Sequence, residues 1–375
     1  MFRWWRTSMA LTNYTPIRRR VRGLGLVELM VGMVIGMVTL LVVTQVMESF
    51  EGQKRTSSGG NDAQTNGALA LYLLDREIRM AGYGVAGPEG MLCKKGINTY
   101  YDDSSGGAPA ITVGGAFIPI RIEDGGDGKP DAIVVMRSDA EFGAIPTSVV
   151  KDMPSPSSII TTGTSGGLKK GDLFIMASKT GDKRCTLMQM TQDPQATGNG
   201  FNLQHNPGAD GPYNPPNPEK VFGPENTPKY EIGDIVINMG RYVNRRYEVD
   251  DDSDQLTEAD PMSPAAPTPL VSHIVDMQAV YGIAAPGKSK ITQWLPATGT
   301  WDYKAVDANL VQQIRAVRLA VVARSPQYEK EMVTDATIPL WQGGPSLSLT
   351  DDERHYRYKV FETIIPLRNI IWSAS

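Results

Sequence analysis

Six aspartates in two short loops have the types and spacing for metal chemistry. Asp124, Asp127 and Asp131 fall in the stretch Asp124-Gly125-Gly126-Asp127-Gly128-Lys129-Pro130-Asp131, and a glycine-rich loop of this kind could wrap oxygen ligands around Ca²⁺. It lacks the spacing and the closing bidentate Glu of an EF-hand, so the competing reading is a turn that uses Asp and Gly for their conformations. Asp250, Asp252 and Asp254 open the densest acidic run, which continues to Glu258 and Asp260. That run is a second Ca²⁺ candidate, a contact for a basic partner surface, or a solvated hairpin tip kept extended by repulsion. No other cofactor is expected.

Catalysis finds less support. Gly163-Thr164-Ser165-Gly166-Gly167 has the letters of a nucleophile elbow, but an elbow needs a helix directly after it, and Leu168-Lys169-Lys170-Gly171-Asp172 reads as a turn leading into a strand. His205, His273 and His355 stand far apart, without a paired metal spacing. They read as one loop residue and two strand residues. Tyr356 and Tyr358 alternate with Arg357 and Lys359, which is the pattern of a strand with one apolar and one wet side. The 37 basic residues form no stripe, so the electrostatic footprint of a nucleic-acid binder is missing. The expectation is a protein that is not an enzyme.

The element that must carry everything else is the run from Leu24 to Met47, in which Glu28 is the only charge. As a helix it is long enough to cross roughly 30 Å of hydrocarbon. Arg18, Arg19, Arg20 and Arg22 crowd its near side, which places the amino end in the cytoplasm and the bulk outside. A carboxylate inside a span is costly, so Glu28 is a functional residue by default. The segment up to Gly23 carries six Arg and no acid, so the rest of a chain of net charge −4 stands near −10. Cys93 and Cys185 are the only cysteines, and outside the cytoplasm they read as one disulfide or as two buried thiols.

Beyond the span, residues 48–84 read as a stalk helix, with a kink or short loop where Thr56-Ser57-Ser58-Gly59-Gly60-Asn61 interrupts it. Its upper part puts Leu69, Leu73, Ile78 and Met80 near one face. From residue 85 to 375 short apolar runs alternate with Gly, Pro and Asp turns, in a chain holding 38 Gly and 26 Pro. The strands expected are 117–122, 131–136, 172–177, 185–191, 232–238, 241–249, 273–281, 317–323 and one opening at Tyr356. His205 to Pro228 reads as a polar surface loop. In the first of the last three strands, His273, Val275, Met277, Ala279 and Tyr281 share one face.

Arg22-Gly23 followed by Leu24-Gly25-Leu26-Val27-Glu28-Leu29 resembles the class III signal of type IV prepilins. The resemblance implies a leader over residues 1–23, cleavage after Gly23 by a prepilin peptidase, N-methylation of Leu24, and an assembly helix over 24–47 with Glu28 at its fifth position. Such families commonly begin the mature chain with Phe or Met rather than Leu. Three later stretches, Ile274-Val275-Asp276-Met277-Gln278 with Tyr281-Gly282, Arg315-Ala316-Val317-Arg318, and the closing run from Arg357 to Asn369, resemble the PilW family of minor pilins. That family implies an α+β fold of pilin type: a long amino-terminal helix under a mainly antiparallel β domain with long loops. It also implies a role in initiating pilus assembly, twitching motility and adhesion. The partners implied are other minor pilins, the major pilin, the inner-membrane assembly platform and a large tip adhesin. The expected location is the inner membrane, with the domain in the periplasm, and then the pilus. The related J-type pseudopilins of type II secretion are an alternative, and a membrane-anchored periplasmic enzyme or Ca²⁺-binding protein is a more distant one.

Overall fold

The computed structural model describes residues 25–84, 86–87, 90–91, 93–102, 118–140, 146–154, 159–206, 211–261, 263, 265–306 and 308–371. The leader and Leu24 lie outside them. The chain divides into two compact units, Met1–Thr56 and Ser57–Ser375.

The described part of the first unit is the start of a helix, Leu26–Met80. Its segment Leu26–Gly52 has a mean hydropathy of 2.5 and is long and apolar enough to cross a membrane. Two hydroxyls in that segment are satisfied by the helix itself: Thr39 Oγ1 donates to the Ile35 carbonyl at 2.8 Å and Thr44 Oγ1 to that of Leu40 at 3.1 Å. A lipid environment offers them no other acceptor. The side chains are turned outward, Met37 being 71% exposed.

Helical structure continues through residues 56–61, so the loop that the Ser-Ser-Gly-Gly sequence suggests does not form. Tertiary contact outweighs the low helix propensity there. A Cβ at Gly59 would touch Ser325 and Gln327 at 3.4 and 3.5 Å. The buried face also differs from the sequence expectation: it runs Ala63, Gly67, Ala70, Leu74, Ile78, while Leu69 and Met80 are exposed. Small residues at the first three of these positions let the helix lie close to the sheet, which bulky ones would prevent. The helix ends at Gly82 and Gly84, both with positive φ, and Asn369 Nδ2 caps it by donating to the Arg79 and Ala81 carbonyls.

Among its described residues the second unit holds three larger sheets beside the upper part of the helix. The carboxyl-terminal sheet is fully antiparallel, in the order Ile291–Leu295, Ile274–Ala284, Ile314–Arg324, Tyr358–Pro366. A middle antiparallel sheet has the order Thr268–Ser272, Gln255–Ala259, Val243–Asp250, Ala132–Arg137, Ile120–Glu123. Eight strands form the third, from Gln195–Thr197 at one edge to Ile97–Asn98 at the other, where Ile97–Asn98 pairs in parallel with Cys185–Gln189. The largest core cluster joins the helix residues Ala70, Leu74 and Ile78 to Ile133 and Val135 of the middle sheet and to Met277, Val317, Leu319 and Val321 of the carboxyl-terminal sheet.

Most expected strands are present with shifted ends. The face predicted for residues 273–281 is only partly right. Met277, Ala279 and Tyr281 do share the main core, but the register shifts between Ile274 and Asp276, so Ile274 joins that core while Val275 packs on the opposite face. A bulge adds one residue and reverses the alternation before it. His273 has φ +60 and precedes the strand. The 205–228 segment is not merely a surface loop, since His205, Asn214 and Phe222 are buried and Pro218–Phe222 is a short helix capped by Asn217.

Candidate assembly site

Glu28 lies in the first turn of the long helix, where Leu29 N–H bonds the Gly25 carbonyl at 3.1 Å. The unpaired N–H groups and the positive end of the dipole there favour an anion. Its side chain is exposed, available to a positive group on another molecule. Gly23 and Leu24, the residues on either side of the expected cleavage, lie outside the described residues.

The first aspartate loop is organised around Asp131, which is 3% exposed. Its Oδ1 accepts the Gly125 N–H at 3.0 Å and its Oδ2 the Ala279 N–H at 2.8 Å, while its own N–H donates to the Met277 carbonyl at 2.7 Å. Asp131 therefore fastens the loop to the Ile274–Ala284 strand. Burial pushes its pKa up to about 7 despite the two N–H donors, and Asp124 and Asp276 add smaller upward contributions. Asp124 accepts the Gly126 N–H at 2.9 Å, and Asp127 supplies a left-handed turn residue at φ +50. Nearby, Gln278 Nε2 donates both to the Lys129 carbonyl at 2.8 Å and to Asp276 Oδ1 at 3.1 Å. Asp276 is 1% exposed, and burial raises its pKa to about 6.

Asp250, Asp252 and Asp254 occupy the tip of the hairpin between Val243–Asp250 and Gln255–Ala259. Asp250 accepts from the Asp252 N–H and the Ser253 hydroxyl at 3.3 and 2.5 Å, and Asp254 pairs with Arg324. Among the described residues, no three His, Cys, Asp or Glu side chains are grouped to hold a metal ion.

Cys93 and Cys185 form a disulfide that spans 92 residues and anchors the parallel edge of the eight-stranded sheet, with Cα atoms 5.3 Å apart. Ser165 sits in a turn that leads to the Leu173–Ala177 strand, not to a helix. The histidines are apart: His355 stacks on Tyr328 with ring centroids 4.6 Å apart, and His205 is packed edge-on to Phe174 at 5.8 Å. The sequence does not mark His205 as a core residue.

The motif residues of the carboxyl-terminal sheet have physical roles that spacing alone does not reveal. Arg315, 5% exposed, donates to the Lys288 and Gln312 carbonyls and closes the turn beside its strand. Arg318 pairs with Glu362 across neighbouring strands and lies 5.2 Å from the Trp341 ring and 6.0 Å from that of Trp294. Gly282 leaves room for Trp294, since a Cβ would come within 2.8 Å of that ring. The available signal was a charged residue set inside an apolar strand, as in Val275-Asp276-Met277.

Together these features define an α+β protein whose amino-terminal apolar helix fits a single-pass membrane anchor and whose remaining unit consists mainly of antiparallel sheets. Residues 246–369 match the family described as Type IV Pilus-assembly protein W. No curated protein and no solved structure matches the chain.

Proposed function

We propose that this chain is a minor pilin that helps to initiate type IV pilus assembly in a tip or priming complex, and so supports twitching motility and adhesion. The observation that carries the reading is the PilW match over the sheet-forming third of the chain. Other minor pilins, the major pilin and the inner-membrane platform are its partners, with a large tip adhesin as a further one. The prepilin peptidase cuts after Gly23 and methylates Leu24. Glu28 then pairs with the amino group of a neighbouring subunit as the apolar helices pack. Removing one member of such a pair leaves the other charge buried alone, at a cost of roughly 3 to 5 kcal/mol.

Mass spectrometry of the amino terminus, in cells with and without the prepilin peptidase, tests the first step. A methylated chain starting at Leu24 only in the presence of the peptidase is expected; a wild-type chain that retains Gly23 rules the reading out. Deletion of the gene should then remove surface pili. Loss of protein export with pili intact would instead assign the chain to a secretion machine.

A further inference from the structure

The three larger sheets end in six edges, and five of them are poor templates for another strand. Gln195–Thr197 has three residues, Ile97–Asn98 two and Ile120–Glu123 four. Thr268–Ser272 contains Pro269, and Ile291–Leu295 pairs through a bulge at Ile283 and Ala284. Short strands, prolines and bulges are how native sheets blunt their edges. Tyr358–Pro366 differs: it is nine residues long and pairs with Ile314–Arg324 in unbroken register from Tyr358 to Pro366.

Which backbone groups it leaves open follows from the ends of the ladder. Leu367 N–H donates to the Arg315 carbonyl at 2.9 Å, and Ser325 N–H to the Arg357 carbonyl at 2.8 Å. In an antiparallel pair the bonded positions recur every second residue. Lys359, Phe361, Thr363 and Ile365 therefore point their N–H and C=O groups inward, and Tyr358, Val360, Glu362 and Ile364 point theirs away from the sheet. Pro366 falls on the outward side, where its missing N–H takes nothing from the ladder. Among the described residues no backbone group bonds those outward positions, and Ile364 is 48% exposed.

We propose that this edge takes up an extended strand from a different subunit of the assembly, which becomes the fifth strand of the carboxyl-terminal sheet. A second copy of this chain is a poor occupant on charge grounds. The antiparallel self-pairing that overlaps the whole of Tyr358–Pro366 sets Glu362 against Glu362 of the copy and Tyr358 against Pro366, which has no N–H to give. A complementary strand carries a basic or neutral polar residue opposite Glu362 and apolar residues opposite Val360 and Ile364. The identity of the partner as an assembly subunit rests on the function proposed above; the open edge does not.

Residue-resolved hydrogen exchange tests the proposal, on the full chain alone in detergent and in the complex recovered through a tag on it. In the free chain the amides of 358, 360, 362 and 364 should exchange fast and those of 359, 361, 363 and 365 slowly. In the complex the outward set should slow by on the order of 100-fold. Val360→Pro, which deletes one outward donor, and Ile364→Lys, which places a charge at the contact, should each abolish that protection and piliation while the unfolding midpoint of Ile364→Lys stays near wild type. Outward amides that remain fast in the complex overturn the proposal, as does protection that appears in the purified chain on concentration alone. If deleting the gene removes pili but both variants assemble normally, only the strand proposal fails; if deletion leaves pili intact, the function reading fails.

Discussion

Gly67 on the long helix lies directly against the ring of Phe361, and a Cβ at that position would come within 2.1 Å of a ring carbon. One turn earlier, Gln64 Oε1 accepts a hydrogen bond from Lys359 Nζ at 2.7 Å. The helix and the edge strand thus run side by side over this stretch, and glycine permits the contact. Gly67→Ala should improve helix propensity by about 1 kcal/mol yet lose about 1 to 3 kcal/mol to overpacking. A net loss is expected in equilibrium unfolding of the detergent-solubilised chain, with partial recovery in Gly67→Ala combined with Phe361→Leu.

Asp131 should make stability fall as pH rises through a defined window. Its folded pKa, near 7, lies above the ordinary carboxylate value, so the folded state holds a proton that the unfolded chain releases earlier. The contribution is complete below about pH 4 and is lost as pH rises to about 7. Asp276 acts in the same direction up to about pH 6. Asp131→Asn should flatten this slope and, because an amide nitrogen must then face one of two N–H donors, cost about 1 to 3 kcal/mol. Unfolding midpoints measured between pH 4 and 8 give both quantities.

His205 should act in the opposite sense. Neither ring nitrogen reaches hydrogen-bond geometry with a partner among the described residues, and burial lowers its pKa to about 4, only partly offset by the Leu203 backbone. A depressed histidine contributes stability above its ordinary pKa of about 6.5 that is lost as pH falls towards 4. His205→Phe, in an apolar cluster beside Phe174, should lose less of its unfolding temperature than wild type between pH 7 and 5. An equal loss in both would show that the ring does not bear on acid stability.

The Cys93–Cys185 bridge closes a long loop around the edge of the eight-stranded sheet. Cys93→Ser with Cys185→Ser should lower stability by about 2 to 5 kcal/mol. Reductant should lower the wild-type unfolding temperature towards that of the variant. Alkylation should label neither cysteine in the native protein until reductant is present.

Much of this protein is legible in its sequence because the signals are local. An apolar run with one carboxylate needs no partner to be recognised as a helix long and apolar enough to cross a membrane, and Val317, Leu319, Val321 and Ala323 lie on one face of a strand because side chains alternate. The hairpin tip at Asp250 to Asp254 follows from like charges that repel. Only the tertiary structure decided what depends on a distant partner. Phe361 and the sheet below select Gly67 and Ala70 as the buried helix face over the bulkier Leu69 and Met80, because close approach requires small side chains. The bulge at Val275 reversed the alternation before it, and no local pattern marks an inserted residue. Gly125 and Ala279, far apart in sequence, supply the two N–H donors of Asp131, and no local pattern announces that pairing. The order of the sheets, and with it the edge left open at Tyr358–Pro366, is likewise a property of long-range pairing.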